Sequence, residues 1–164
     1  MSFPIVSIIK NIEIPVYHIN KQFKMKTFKS FPFISYSNGN PCVPANMYLQ
    51  SSEIIKLSEL TIIKIGYALS SLVEFCEKKN IEFKDFNNSL LFVFSQYLQA
   101  ELNKKDLTKK ARSNNVTNFI LKTSLYFFDF IGKNLLNNSN FCKTNLNAEL
   151  KGYKVSIEER GSIE

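Results

Sequence analysis

Few side chains in this sequence are of the kinds that do covalent chemistry, and their spacing brings none of them together. The one histidine, His18, lies in a β-type segment with no acid or cysteine at ligand spacing. Cys42, Cys76 and Cys142 are widely separated and form no CxxC pair, so they suggest neither a zinc site nor a redox dithiol. The glycines, at 39, 66, 132, 152 and 161, are scattered, and no glycine-rich phosphate loop, GxSxG or HExxH pattern occurs. Glu13, Glu53, Glu59 and Glu74 stand apart and make no acid/base pair. These residues predict no catalysis by this chain alone, no cofactor and no metal ligands.

The chemistry that remains is electrostatic. Lys104, Lys105, Lys109, Lys110 and Arg112 place five cations in nine residues, against Asp106 alone. Downstream, Asn115, Asn118 and Lys122 recur at i, i+3, i+7 and share one stripe of a helix. A basic segment feeding an amide-bearing stripe suits phosphate anchoring, with base-edge contact from the amides. Lys64, opposite the core face of an earlier helix, is a further candidate contact. The same residues also fit a Lys-rich loop followed by a solvated helix face. Net charge is +7 and the sequence pI about 9.3, which favours an acidic partner such as nucleic acid or an anionic membrane surface. Only Arg112 and Arg160 among the 21 cations are arginine, however, and there are 18 Asn. Lys, Asn, Ile and Phe rising together is also the signature of an AT-rich genome.

The elements that must position these residues are mostly helical. Ser58 to Lys79 predicts a helix with Ile62, Ile65, Leu69, Leu72, Val73 and Cys76 on its core face, Ser58 as N-cap and Lys78-Lys79-Asn80 at its end. The pair Asn87-Asn88 caps a second helix, Ser89 to Leu102, with Leu90, Leu91, Phe94 and Leu98 inward and Tyr97 flanking. Leu107 to Gly132 predicts a long helix with Thr108 as N-cap and Gly132 as terminator. Val116, Phe119, Ile120, Thr123, Phe127 and Phe130 form one apolar face and Leu121, Leu125 and Phe128 a second, leaving Asn115, Asn118, Lys122 and Asp129 as the polar remainder. A helix apolar on two sides is central to its bundle. Ahead of the helices, Ile12 to His18 and Phe31 to Tyr36 have strand character. Asn38-Gly39 signals a turn, and Lys21, Lys24, Lys26 and Lys29 fall in a basic loop between the two strands. The odd cysteine count, the poor signal sequence and the lack of a membrane-length apolar run point to a cytoplasmic chain with no membrane partner.

From Phe31 to Ile131 the order of features resembles a known family. FPFISYSNGNPCVPANMYLQ (31–50) is similar to the lead-in of phage-integrase-type proteins, with an N-x-YL step at Asn46-Met47-Tyr48-Leu49. Thr61 near a helix start, then GYALSSLVEFCEKKNIEF (66–83) and Asp85-Phe86, match the family's apolar helix and acidic-aromatic step. NNVTNFILKTSLYFFDFIG (114–132) resembles the family's Asn-bearing helix with an aromatic ending, here Asn118 and Phe127, Phe128, Phe130 and Ile131. The family is that of the N-terminal core-binding, SAM-like domain of tyrosine recombinases, and the resemblance covers about 100 of the 164 residues.

The resemblance implies a mainly α fold, a SAM-like bundle of about four helices preceded by a small β-hairpin-like segment. Residues 1–52 would form the N-terminal extension with short strands, 53–136 the helical core-binding domain, and 137–164 a polar tail or linker toward a missing catalytic domain. It implies a module that clamps double-stranded DNA at a recombination site, alongside the catalytic domain of the same recombinase in cis and with self-association on DNA. The family's catalytic Arg, Lys, His and Tyr set has no counterpart here, so no catalytic role carries over. From another class, the chain reads as a helical protein-interaction module with no nucleic-acid role, with Leu121, Leu125 and Phe128 as its docking stripe.

Overall fold

A computed structural model describes residues 5–17, 22–101, 107–108, 112–136, 149–150 and 153–154. It is mixed in class, with helices joined to a two-stranded antiparallel hairpin. The chain divides into two compact units, Met1–Glu74 and Phe75–Glu164.

In the first unit, β1 (Val6–Tyr17) and β2 (Phe23–Ile34) pair antiparallel in one register, from Val6↔Ile34 to Tyr17↔Phe23. Side chains alternate between faces with period two. Phe28, Pro32 and Ile34 of β2 and Ile14 of β1 are buried on one face, whereas Phe23, Met25, Thr27 and Lys29 on the other are exposed. Asn38-Gly39, with Gly39 at φ 90°, then turns the chain from β2 into α1 (Val43–Leu49). Gly39 N donates to Tyr36 O at 2.9 Å there, and Ser35 bridges Pro41. Pro44 sits in the first turn of α1, where a missing N–H costs nothing. The short α2 (Ser52–Ile55) follows, and the two helices contact β2 and β1 respectively.

The outer edge of β2 is closed by side chains rather than by a third strand. Asn46, 8% exposed, accepts from Ile34 N at 2.9 Å and donates through Nδ2 to Ile34 O at 2.8 Å and Cys42 O at 3.0 Å. Two positions along, Pro32 has no N–H to satisfy, and two further on Ser30 N donates to Glu59 Oε1 at 2.7 Å. Glu59 opens α3 (Glu59–Lys78), and Ser58 Oγ accepts from Thr61 N at 3.3 Å, as expected of its N-cap. Gly66 lets this helix approach β2, because a Cβ there would lie 2.5 Å from Pro32 Cβ.

In the second unit α3 ends as a Schellman motif: Ile81 N reaches Cys76 O at 2.8 Å and Asn80 N reaches Glu77 O at 3.2 Å, with Asn80 left-handed at φ 53°. A 3-10 turn (Phe83–Asp85) leads to α4 (Asn88–Ala100), whose N-cap Asn87 accepts from Leu90 N at 2.9 Å. The last long helix is α5 (Asn114–Asn134). Aromatic rings form the core: Phe86 stacks on Phe128 at 4.4 Å, Phe83 meets Phe127 edge-on at 5.3 Å, and Phe75 lies 4.9 Å from Phe94. Short pairs at Glu149–Leu150 and Tyr153–Lys154 complete the described strands.

Several expectations need correction. The strands are Val6–Tyr17 and Phe23–Ile34, not Ile12–His18 and Phe31–Tyr36; the turn expected at Asn38-Gly39 is present, after β2. Lys24, Lys26 and Lys29 lie on β2 rather than in a loop, because pairing with β1 runs on through this stretch, Lys24 opposite Val16 and Lys26 opposite Ile14. Lys26 donates to Ile55 O at 2.7 Å and sits 4.8 Å from the Phe28 ring centre, so it ties α2 to the hairpin. His18 and Lys21 lie outside the described residues.

The long helix also starts later than expected. Ser113, not Thr108, is its N-cap, accepting from Val116 N at 3.3 Å. It runs through Gly132 to Asn134, its last turn supported by the Lys133–Asp129 pair at 3.0 Å. Val116, placed on the apolar face, is 47% exposed because it lies in the helix's projecting first turn. Asp129, placed in the polar remainder, is 4% exposed because the same face is covered further along.

Candidate nucleic-acid interface

The candidate surface is built on the first third of α5. From Ile120 onward this helix is buried nearly all round, with only Lys122 and Phe130 half-buried before Lys133. Such a spine holds its free end in a fixed orientation. That end presents Asn114, Asn115, Val116 and Asn118 to solvent. Asn115 and Asn118 make no side-chain hydrogen bond among the described residues, and Lys122, one turn on, has no ion-pair partner among them. The expected stripe is therefore assembled at its exposed end and half-covered at Lys122. With no acid in the first turn, the positive end of the helix dipole is uncompensated on the helix itself.

Arg112 stands just before the cap. Its Nη1 donates to Glu101 Oε2 at 2.6 Å and to Leu98 O at 3.4 Å. Sequence reasoning did not find Glu101. The available signal was slight: Glu101 is the nearest acid preceding the basic run. Lys104, Lys105, Lys109 and Lys110 lie outside the described residues. Lys64 is exposed on α3 in the first unit, whereas the other eight candidates fall in the second by position.

Two other cations of the second unit are already matched. Lys84 lies 3.1 Å from Glu82, whose hydrogen bond and then charge, followed by that of Asp85, raise the exposed ammonium above its ordinary pKa. Lys133 pairs with Asp129. Leu121, Leu125 and Phe128, the stripe offered for protein docking, are at most 2% exposed and belong to the core. Among the described residues no cluster of His, Cys, Asp or Glu could hold a metal, and no helix is long and apolar enough to cross a membrane.

The described part of the candidate surface offers two exposed amides, Asn115 and Asn118, at a helix N-terminus without an acid in its first turn, with Lys122 half-covered behind them. Compared with family models, curated proteins and solved structures, the chain finds no match.

Proposed function

We propose that this chain is a DNA-binding module of the tyrosine-recombinase core-binding type, its helices of the SAM-like kind, clamping duplex DNA beside a recombinase catalytic domain in cis. The observation that carries the reading is the exposed Asn115–Asn118 end of a buried helix, directly downstream of the run Lys104–Arg112. The lysines anchor phosphates and fix register, and the two amides reach base edges in the groove. Lys122 extends the stripe.

Anchoring by four lysines gives a slope of log affinity on log salt near −3.6, so binding falls about 10²-fold for a fourfold rise in salt. A gel shift with random duplex DNA tests the surface. Changing Lys104, Lys105, Lys109 and Lys110 together to Glu abolishes the shift while the helical circular dichroism is unchanged. Retained binding by that variant places the DNA elsewhere.

A further inference from the structure

The two edges of the hairpin differ. In an antiparallel pair, residues alternate between those whose N–H and C=O face the partner strand and those whose groups face away. On the outer side of β2, Ile34 N donates to Asn46 Oδ1 at 2.9 Å and Ser30 N to Glu59 Oε1 at 2.7 Å, and Pro32 between them has no N–H. The residues opposite these three on β1 are Val6, Lys10 and Ile8, so their own N–H and C=O point outward from the other edge. Ser35 N, which donates to Ile5 O at 2.8 Å, shows the odd-numbered set facing inward. Nothing seals this second edge. The sheet has the order β1-β2 only, and no hydrogen bond from the described residues reaches the outward backbone groups of Val6, Ile8 and Lys10.

The open stretch is bounded. Asn11, left-handed at φ 51°, turns the edge after Lys10, and beyond it Ile14 is 4% exposed where α2 lies against β1. A second copy of β1 lying along all twelve residues would meet that kink, and would set two chains of charge +7 side by side. A short strand carrying an acid meets neither obstacle. Val6 and Ile8 are half-buried, on the same face as the buried Pro32 and Ile34 opposite them, so each keeps apolar surface to cover. Lys10 follows on that face, exposed and donating to Ser30 Oγ at 2.9 Å. The two strands carry Lys10, Lys24, Lys26 and Lys29 against Glu13 alone.

We propose that the outer edge of residues 6–10 is a docking site for a short extended peptide of another protein, paired antiparallel, with apolar side chains beside Val6 and Ile8 and an acid beside Lys10. Along such a peptide the pattern is acid-x-apolar-x-apolar. Backbone pairing supplies the attraction and the alternate side chains the selectivity. The site does not depend on DNA binding.

The test is heteronuclear NMR of the isotope-labelled full chain, titrated with the synthetic peptide Thr-Glu-Thr-Val-Thr-Val-Thr and with its counterpart bearing Lys in place of Glu. In the free chain the outward amides of Ile8 and Lys10 exchange fast with solvent and the inward amides of Ser7 and Ile9 slowly. With the Glu peptide at about ten times its Kd, exchange at Ile8 and Lys10 slows about tenfold. The parent binds the Glu peptide about threefold more tightly than the Lys peptide, and Lys10→Glu reverses that order. Should Lys10→Glu fail to fold, the parent's preference between the two peptides decides. Ile8 and Lys10 amides as slow as those of Ser7 and Ile9 in the free chain mean that the edge is already covered, and overturn the proposal. It is equally overturned if the Glu peptide causes no slowing, or if the parent does not prefer it. Slowing that follows the concentration of the chain alone assigns the edge to a second copy and refutes the peptide.

Discussion

Asn46 offers the sharpest test of the first unit, because one buried amide closes the end of a strand. Its three hydrogen bonds, at 2.8 to 3.0 Å, engage Ile34 N, Ile34 O and Cys42 O. In Asn46→Ala, Ile34 O keeps Cys42 N at 2.9 Å and Cys42 O keeps the residue-46 N–H at 3.1 Å. The orphan is the Ile34 N–H, belonging to a residue that is 0% exposed. A buried unpaired donor together with the lost amide packing costs about 2–3 kcal/mol.

Asn46→Asp has nearly the same shape but reverses one polarity. One oxygen still accepts from Ile34 N, while the other faces two carbonyl oxygens. Burial and those carbonyls disfavour the charged form, so folding raises the pKa of the introduced carboxyl above its unfolded value of about 3.9. The native state then binds the proton more tightly, and stability falls as pH rises through the folded pKa. Below the unfolded value the acid is protonated in both states and can donate to Ile34 O. The gap to the parent is therefore small in acid and complete at neutral pH, where it exceeds that of Asn46→Ala. Urea unfolding followed by far-UV circular dichroism at both pH values measures it. An Asn46→Ala loss under about 0.5 kcal/mol, or an Asn46→Asp gap that does not narrow on acidification, refutes the account.

Two further predictions concern packing. Gly66→Ala, which ordinarily stabilises a helix interior by about 1 kcal/mol, should here lower the unfolding midpoint, since its Cβ would lie 2.5 Å from Pro32 Cβ and 2.8 Å from Cγ; a raised midpoint contradicts the close approach. Phe128→Ala should cost about 3–5 kcal/mol and Val116→Ala less than about 0.5, because one ring stacks on Phe86 and the other side chain is half in solvent. Equal losses in the same unfolding assay would mean that α5 is not buried as described.

The helices were legible because their apolar residues repeat with the right period and their caps are of the right type. Ser58 and Asn87 cap where the sequence places them. The buried faces of α3 and α4 hold the expected Ile62, Leu69, Leu72, Leu91, Phe94 and Leu98. The hairpin was harder to read. Four lysines between two apolar runs look like a loop, and period two cannot show that Lys26 bridges to a helix carbonyl and rests on Phe28. Nor does local pattern reveal contacts distant in sequence. Asn46 and Ile34, Glu59 and Ser30, and Gly66 and Pro32 meet only once the chain has folded back. At the candidate interface, spacing put Asn115, Asn118 and Lys122 on one stripe. It could not show that Asp129 on the same face is covered, since periodicity gives direction from the helix axis but not depth along it. Arg112 read as one more surface cation because its partner Glu101 belongs to the preceding helix end.

The central claim is that the basic segment and the exposed start of α5 bind duplex DNA. Anisotropy of a labelled random duplex, for the parent chain and the fourfold Lys→Glu variant at 104, 105, 109 and 110, measures it most directly. The account predicts parent binding that weakens about 10²-fold for a fourfold rise in salt, and no binding by the variant at any salt. Parent affinity that is absent or independent of salt, or a variant that binds as the parent does, contradicts it.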